Sequence, residues 1–394
     1  MRSFMLQRFA GYGKLCRIGG CLFIQNFHKE SLASARVTWK CPYTLYSILC
    51  VCFVFSFEVA FLALRMRVLS LFSSRFTQSL LFILHITIIF KIFINFWAMA
   101  TGSGKLLDFF RKAVIFEKST GFSCVKGRFR WPIPRRCLVL AALVANYVIG
   151  VRLFIGEVVN ALPRQWILAA TICGYVAGFG FVLYDSLPFV VLRCSTEALV
   201  EYTHSQMLAF KGCDRTKGAC TDMNASRRIE TIRLNLCNIR ELNRLLNDMW
   251  KCPLTAMCAN VILMSCIVLY SLFENGIYMR EVWVVLLYTL YSALCFFELT
   301  LISQALSDEV QRLKDATRAV ITTDATEDYL HQLRVLHDTI EPLGMCLSGG
   351  GFFSLKKPLL VSMTAAIITY TVILVQTSDD ITEKTDVYSA FPRR

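Results

Sequence analysis

Leu359 to Thr377 reads LLVSMTAAIITYTVILVQT. A helix needs about 20 apolar residues to cross the hydrocarbon core of a bilayer, and this run has that length with no ionised side chain. A simple anchor could be built from Leu and Val alone. Here Ser362, Thr369 and Gln376 recur every seven residues, close to two helical turns, so they share one face. Ala365, Ala366, Val372 and Ile373 fill the gaps on it. Two readings stay open on residue type alone. Helix packing in lipid favours small and hydroxyl side chains. A pore wall also suits the pattern, because uncharged polar rungs meet water and apolar rungs form a constriction that can dewet. Asp379 and Asp380 follow just beyond Gln376. Repeated around an axis, they would form an outer vestibule that concentrates cations.

The rest of the chain places that run in an all-α membrane protein. Its 394 residues are 55% hydrophobic and 18% charged, with mean hydropathy +0.51. Soluble domains sit near 45–50% apolar and about 25% charged. Seven membrane-length stretches are predicted, near 43–64, 77–100, 137–158, 166–192, 254–273, 282–306 and 354–376. The second carries His85, Lys91 and Asn95, the third Arg152, and the fourth Asp185 and Pro188.

Lys and Arg in the connections set the expected orientation. Segments 1–42, 101–136, 193–253 and 307–353, with Lys356 and Lys357, hold 32 of them, against 8 in 65–76, 159–165, 274–281 and 377–394. The first set is therefore expected in the cytoplasm, giving an N-terminus inside and a C-terminus outside. The formal charge of +14 belongs to those inner segments, and no nucleic-acid partner is implied. The expected organisation is a cytoplasmic segment 1–42, membrane helices within 43–192, a cytoplasmic helical loop 193–253, two more membrane helices within 254–306, a cytoplasmic anchor segment 307–353, the last helix 354–376 and an extracellular tail 377–394. None of the 17 cysteines lies in an outer segment, so no extracellular disulfide framework is expected. The basic start with its short GGCLFIQNF patch does not read as a cleavable leader. The one sequon, Asn224-Ala225-Ser226, falls on the inner side.

Two inner connections carry amphipathic helical spacing. Ile229, Ile232, Leu236, Ile239, Leu242, Leu246 and Met249 form one stripe. Leu306, Val310, Leu313 and Val320 form another, followed by Leu330, Leu333, Leu336, Ile340 and Leu343. Such stripes must bury against something, so a cytoplasmic helical layer is expected, with spans extending into it and subunits packed through it. Pro253 and Pro358 mark the expected points of re-entry into the membrane. Gly349-Gly350-Gly351 breaks the chain before the last span and suits either a hinge or a simple turn.

The carboxy-terminal stretch GGFFSLKKPLLVSMTAAIITYTVILVQT, Gly350 to Thr377, resembles the signature of insect gustatory receptors, in which Thr-Tyr is followed by five mostly apolar residues and Gln-Phe. The matching positions are Thr369, Tyr370 and Gln376, with Cys346, the glycine run, Phe352, Phe353 and Leu355 upstream. The resemblance implies a homo- or heterotetrameric, ligand-gated, non-selective cation channel in the plasma membrane of sensory neurons, opened by a small-molecule tastant. It makes the last helix the pore lining, with Gln376 and Thr377 as gate residues and Tyr370 bracing that helix against its neighbours. Two departures stand out. Thr377 replaces the usual Phe, which makes the gate less apolar, and Thr371 stands where the sugar-sensing branch typically carries Glu.

With that orientation, the outer halves of the spans hold His85, Tyr147, Arg152, Tyr175, Tyr270, Tyr288 and Tyr291. An aromatic cavity with a few polar points suits a small molecule. Trp166 and Trp283 fit an interfacial belt instead. A cation inside a span faces a partner or water, and Glu58 or Glu157 are the candidates for Arg152. His85 also fits a packing histidine, and Lys91, near mid-span, fits either a shifted boundary of the second span or a wet cavity beside it. Other classes fare poorly. No nucleotide loop, metal set or nucleophile arrangement is present, so no enzyme activity, metal or cofactor is expected. A G-protein-coupled receptor needs the opposite orientation. A transporter usually shows related halves and interrupted helices, and seven unequal spans show neither.

Overall fold

In the computed structural model, residues 3–27, 32–37, 39–69, 75–122, 141–145, 147–152, 155–156, 163–215, 222–273, 279–320 and 326–390 are described. A short helix α1 (Phe4–Ile18) precedes α2 (Pro42–Leu69) and α3 (Arg75–Thr120). Next come α4 (Ala141–Arg152), α5 (Arg164–Arg215), α6 (Asp222–Phe273), α7 (Met279–Arg318), α8 (Glu327–Thr339) and α9 (Lys357–Ala390). Among the described residues, α2, α3, α5, α6, α7 and α9 are long and apolar enough to cross a membrane, and α4 is a shorter apolar helix. Glu157 and Cys220 lie outside the described residues, as do the side chains of Cys213 and Asn224.

The helices run further than the apolar stretches alone suggest. α5 and α6 have 52 residues each, about 78 Å at 1.5 Å per residue, against about 40–45 Å for a whole bilayer. α3 continues without a break to Thr120, where a loop is expected from 101 onward. Pro253 sits inside α6 rather than at a break, whereas Pro358 falls in the first turn of α9, where its missing N–H costs no helical bond. The extensions pack on one another as a layer beyond the membrane-length segments. Ile229, Ile239, Leu242, Leu246, Leu306, Leu313 and Leu336 are all buried there. These stripes are therefore satisfied within one chain, without a second subunit to cover them. Leu343 is the exception and stays exposed.

The N-terminal segment closes one side of this layer. Phe9 of α1, Phe27 and Phe110 of α3 form a ring cluster with centroids 5.0–5.5 Å apart. The GGCLFIQNF patch is part of the core, with Cys21, Leu22, Phe23 and Ile24 buried. It leads into a two-residue strand β1 (Ile24–Gln25) paired antiparallel with β2 (Arg36–Val37). The carboxylate of Glu117 on α3 accepts from the backbone N–H of Phe4 at 2.9 Å and Met5 at 3.0 Å. A negative charge there satisfies orphan donors and complements the helix dipole. The Tyr202 hydroxyl of α5 donates to the same carboxylate. Burial, and then the Glu117 charge, push the Tyr202 phenol well above its usual range. Arg193 of α5 ties together Glu197 at 3.2 Å and Glu298 of α7 at 2.8 Å, while Arg8 of α1 reaches Glu197 at 2.7 Å.

The glycine run is a turn. Ser348–Gly349 (β3) pairs antiparallel with Phe353–Ser354 (β4) around Gly350 and Gly351, whose φ values of 64° and 85° suit glycine and few other residues. A Cβ on Gly349 would fall 2.3 Å from the Phe353 ring. Asn247 of α6 holds the hairpin from both sides, donating to the Cys346 carbonyl at 2.9 Å and accepting from the Ser348 N–H at 3.0 Å. Ser303 of α7 accepts from Leu347 N–H at 2.8 Å.

α8 docks on this layer through Leu336, which is fully buried, and through a Thr317–His337 contact of 2.8 Å. Leu336→Ala is expected to cost about 2–5 kcal/mol, read as a lowered thermal midpoint of the detergent-solubilised chain. An unchanged midpoint would mean that α8 is not docked in solution.

Candidate functional site

Between the membrane-length parts of α2 to α7 lies a cavity of about 130 Å³. α2 contributes Phe57, Glu58 and Phe61, and α3 contributes Leu84, His85, Ile88 and Ile89. α4 and α5 add Tyr147, Gly150, Val151, Gly174, Gly178, Phe181 and Val182. Met264 of α6 and Val284, Val285 and Tyr288 of α7 complete the wall. Small residues make the room: a Cβ on Gly178 would come within 3.0 Å of Val151 and 3.3 Å of the Tyr147 ring.

Of the seven residues expected in a pocket, His85, Tyr147 and Tyr288 line this one. The imidazole of His85 bonds through Nδ1 to the Leu81 carbonyl one turn back, at 2.7 Å, so it packs and faces the cavity at once. The Tyr147 hydroxyl donates to the Tyr175 carbonyl at 3.2 Å, while the Tyr175 side chain is 47% exposed. Tyr270 and Tyr291 are buried but do not line the wall. Arg152 is exposed and outside the lining, and among the described residues it forms no ion pair with Glu58. The helical spacing of α4 turns Val151 inward and Arg152 away.

Behind the cavity sits a group that residue-by-residue reading leaves unpaired. Lys91 of α3 and Asp185 of α5 form a salt bridge of 2.6 Å, with side chains only 4% and 2% exposed. Tyr288 of α7 completes it. Its hydroxyl accepts from Lys91 Nζ at 3.0 Å and donates to Asp185 Oδ1 at 3.1 Å. Next to it, Asn95 of α3 donates to the carbonyls of Tyr184 and Asp185 at 3.2 and 3.4 Å. Two formal charges within membrane-length helices are thus neutralised by each other rather than by water. Tyr288 belongs both to this cluster and to the cavity wall. The signal in the sequence was the presence of one cation and one anion at intramembrane positions, which are costly unless paired.

α9 stands at the edge of the helix set. Its buried seam is Met363 and Thr371, facing α6, where Cys258 Sγ approaches Met363 Sδ at 3.8 Å and Cys266 Sγ the Ile367 carbonyl at 3.6 Å. Ser362, Thr369, Ile373, Gln376 and Thr377 are all exposed on the isolated chain. Tyr370 is 56% exposed on the isolated chain, next to the buried Thr371. Asp379 and Asp380 continue the helix backbone, and their side chains lie outside the described ones.

A family model described as 7tm chemosensory receptor matches residues 12–381. This chain belongs to that family. Among solved structures, the receptor chain is similar to the insect olfactory receptor OR5 from Machilis hrabei in complex with eugenol, at 14% identity and a TM-score of 0.70, over 94% of this chain and 98% of that one. A second structure of the same olfactory receptor matches with a TM-score of 0.68, at the same identity and coverage. At that identity the likeness shows the fold, a seven-helix membrane architecture that agrees with the helices described above. Among curated proteins no match is found. The family is one of chemosensory receptors rather than of enzymes, and the chain is a multi-pass membrane protein.

The buried pair supplies a direct test of the receptor's architecture. Removing one partner of a buried salt bridge costs about 3–5 kcal/mol, whereas replacing both by apolar residues is often close to neutral. Lys91→Met alone should therefore lower the thermal midpoint and surface expression sharply. Lys91→Met combined with Asp185→Leu should recover most of the loss. Equal damage from the single and the double variant would show that the two side chains do not act as a pair.

Proposed function

We propose that the chain is a taste receptor that works as a ligand-gated, non-selective cation channel, with α9 of four subunits lining a shared pore. The observation that carries this reading is the one-sided burial of α9. Its buried seam, Met363 and Thr371, faces α6, while Ser362, Thr369 and Gln376 are exposed on the isolated chain. The Ser362 and Thr369 hydroxyls donate to the Pro358 and Ala365 carbonyls one turn back, so the Gln376 amide is the rung that calls most for water or for another subunit, and a central pore supplies both. The gustatory signature at Thr369, Tyr370 and Gln376 supports taste rather than smell. The Lys and Arg bias of the connections supports a cytoplasmic helical layer and an extracellular C-terminus, and the resemblance to gustatory receptors supports a plasma-membrane location.

The cavity between α2 and α7 is the proposed ligand site. Its mostly apolar, aromatic wall with a few polar points suits a small tastant, and the similar olfactory receptor was solved with eugenol. α6 links the site to the pore helix, because Met264 faces the cavity and Cys266, two residues on, touches α9 at the Ile367 carbonyl. A ligand that fits the cavity better when α6 and α9 are displaced shifts the population toward the open state. Gln376 and Thr377 then leave the axis, and Na⁺, K⁺ and Ca²⁺ pass, drawn by Asp379 and Asp380. Thr371 sits in the seam with α6, so the absence of Glu there removes a charge from that seam and argues against a sugar as the ligand.

Three measurements test this. An epitope placed after Arg394 should stain intact cells, and staining only after permeabilisation would reverse the topology. Gln376→Ala should change leak or relative ion permeability in whole-cell recordings, whereas unaltered currents would remove Gln376 from the gate. Val284→Trp fills the cavity and should weaken any agonist response about tenfold or more, with surface expression and leak retained. A full response in that variant would place the ligand elsewhere.

A further inference from the structure

Among the described residues, one carboxyl group lines the cavity, that of Glu58 on α2. Glu58 is neither ion-paired nor hydrogen-bonded to any described residue. Among the described residues, no lysine or arginine lines the cavity. Lys91, an intramembrane cation, is committed to Asp185 at 2.6 Å and to the Tyr288 hydroxyl at 3.0 Å, so its charge is already neutralised. Arg152, the other intramembrane cation, is exposed and outside the wall. A carboxylate in apolar surroundings is costly unless a cation meets it, and an ionisable residue within a membrane span marks a site whose partner has to be named.

The surroundings define that partner. Phe57, Phe61, Tyr147, Phe181 and Tyr288 bring aromatic rings to the same wall, and ring faces attract ammonium groups. An anionic ligand would meet Glu58 with no cation to offset it. A zwitterionic amino acid would leave its own carboxylate unpaired. A sugar would find few hydrogen-bonding groups for its hydroxyls.

Resting on the reading of this cavity as the ligand site, we propose that it selects basic amines carrying an apolar ring, with Glu58 as the counter-ion of the ammonium. The ring then fills the apolar part of the wall near Ile88, Val285 and Met264. Amine specificity comes from α2, whereas coupling to the pore runs through α6. Recognition and gating are thereby carried by different helices.

Binding to the purified full-length chain tests this without relying on currents. The probes are benzylamine, phenethylamine and tryptamine at neutral pH, each paired with its alcohol (benzyl alcohol, 2-phenylethanol and tryptophol), read as saturable shifts in thermal midpoint. At least one amine is expected to bind about tenfold more tightly than its alcohol. In Glu58→Gln the two should become equal through weaker amine binding, and Glu58→Asp should retain part of the preference. Val284→Trp should abolish both, locating the binding in the cavity. Alcohols that bind as tightly as their amines, or an amine preference that survives in Glu58→Gln, would overturn the proposal and leave the cavity as a site for neutral ligands. Absence of a saturable shift with every amine would also overturn it. The cavity reading would then be judged by the agonist response of Val284→Trp, which requires no amine.

Discussion

The Lys91–Asp185 pair, capped by Tyr288, is the constraint on which the membrane half of this receptor depends. Each charge alone would be expensive in a bilayer, so α3, α5 and α7 must meet at one point and in one register. Apolar packing does not impose that condition, because Leu, Val and Phe slide past one another at small cost when both neighbours and lipid are apolar. A buried ion pair contributes little net stability. Its effect here is to select an arrangement. The cavity lies directly against that fixed point, so its wall is shaped by the same residues that set the helix register.

Beyond the membrane-length segments the energetics change character. The layer built from the extended parts of α3, α5, α6 and α7 with α1 and α8 is held by burial, as in a soluble helical domain. Trp250, Leu313, Leu336 and Ile239 are all fully enclosed there. Polar ties at its margins have specific tasks. Glu117 caps α1, Arg193 joins α5 to α7, and Asn247 fixes the hairpin that leads into α9. Four helices thus cross from one solvent into another without interruption, and each joins the two halves rigidly.

Much of this was legible in the sequence, for identifiable reasons. Hydropathy located the membrane helices because backbone polar groups must be satisfied inside lipid. The stripe from Ile229 to Met249 announced a buried helix face because its period is helical. The Gly349–Gly351 run was compatible with a hinge or a turn, and only the tertiary contacts of Phe353 and Asn247 decide for the turn. Partnerships across helices were the least legible. Lys91 and Asp185 are far apart in the chain, and no periodicity links them. The same holds within the cavity. His85, Tyr147 and Tyr288 reach the wall, whereas Arg152, next to the inward-facing Val151, is carried away from it by the rotation of a single helical position.

The hairpin between β3 and β4 has a mechanical consequence. It joins α9 to the burial-held layer within a few residues of Pro358, and Asn247 and Ser303 pin it on both sides. α9 is therefore clamped at one end and lightly attached along its length, touching the chain mainly through Met363, Ile367 and Thr371. From Pro358 to Gln376 such a helix spans about 27 Å. It is a cantilever, and every degree of tilt at its root carries Gln376 sideways by about half an ångström. Movements at the root smaller than a bond length become displacements at the tip comparable to the radius of a hydrated ion.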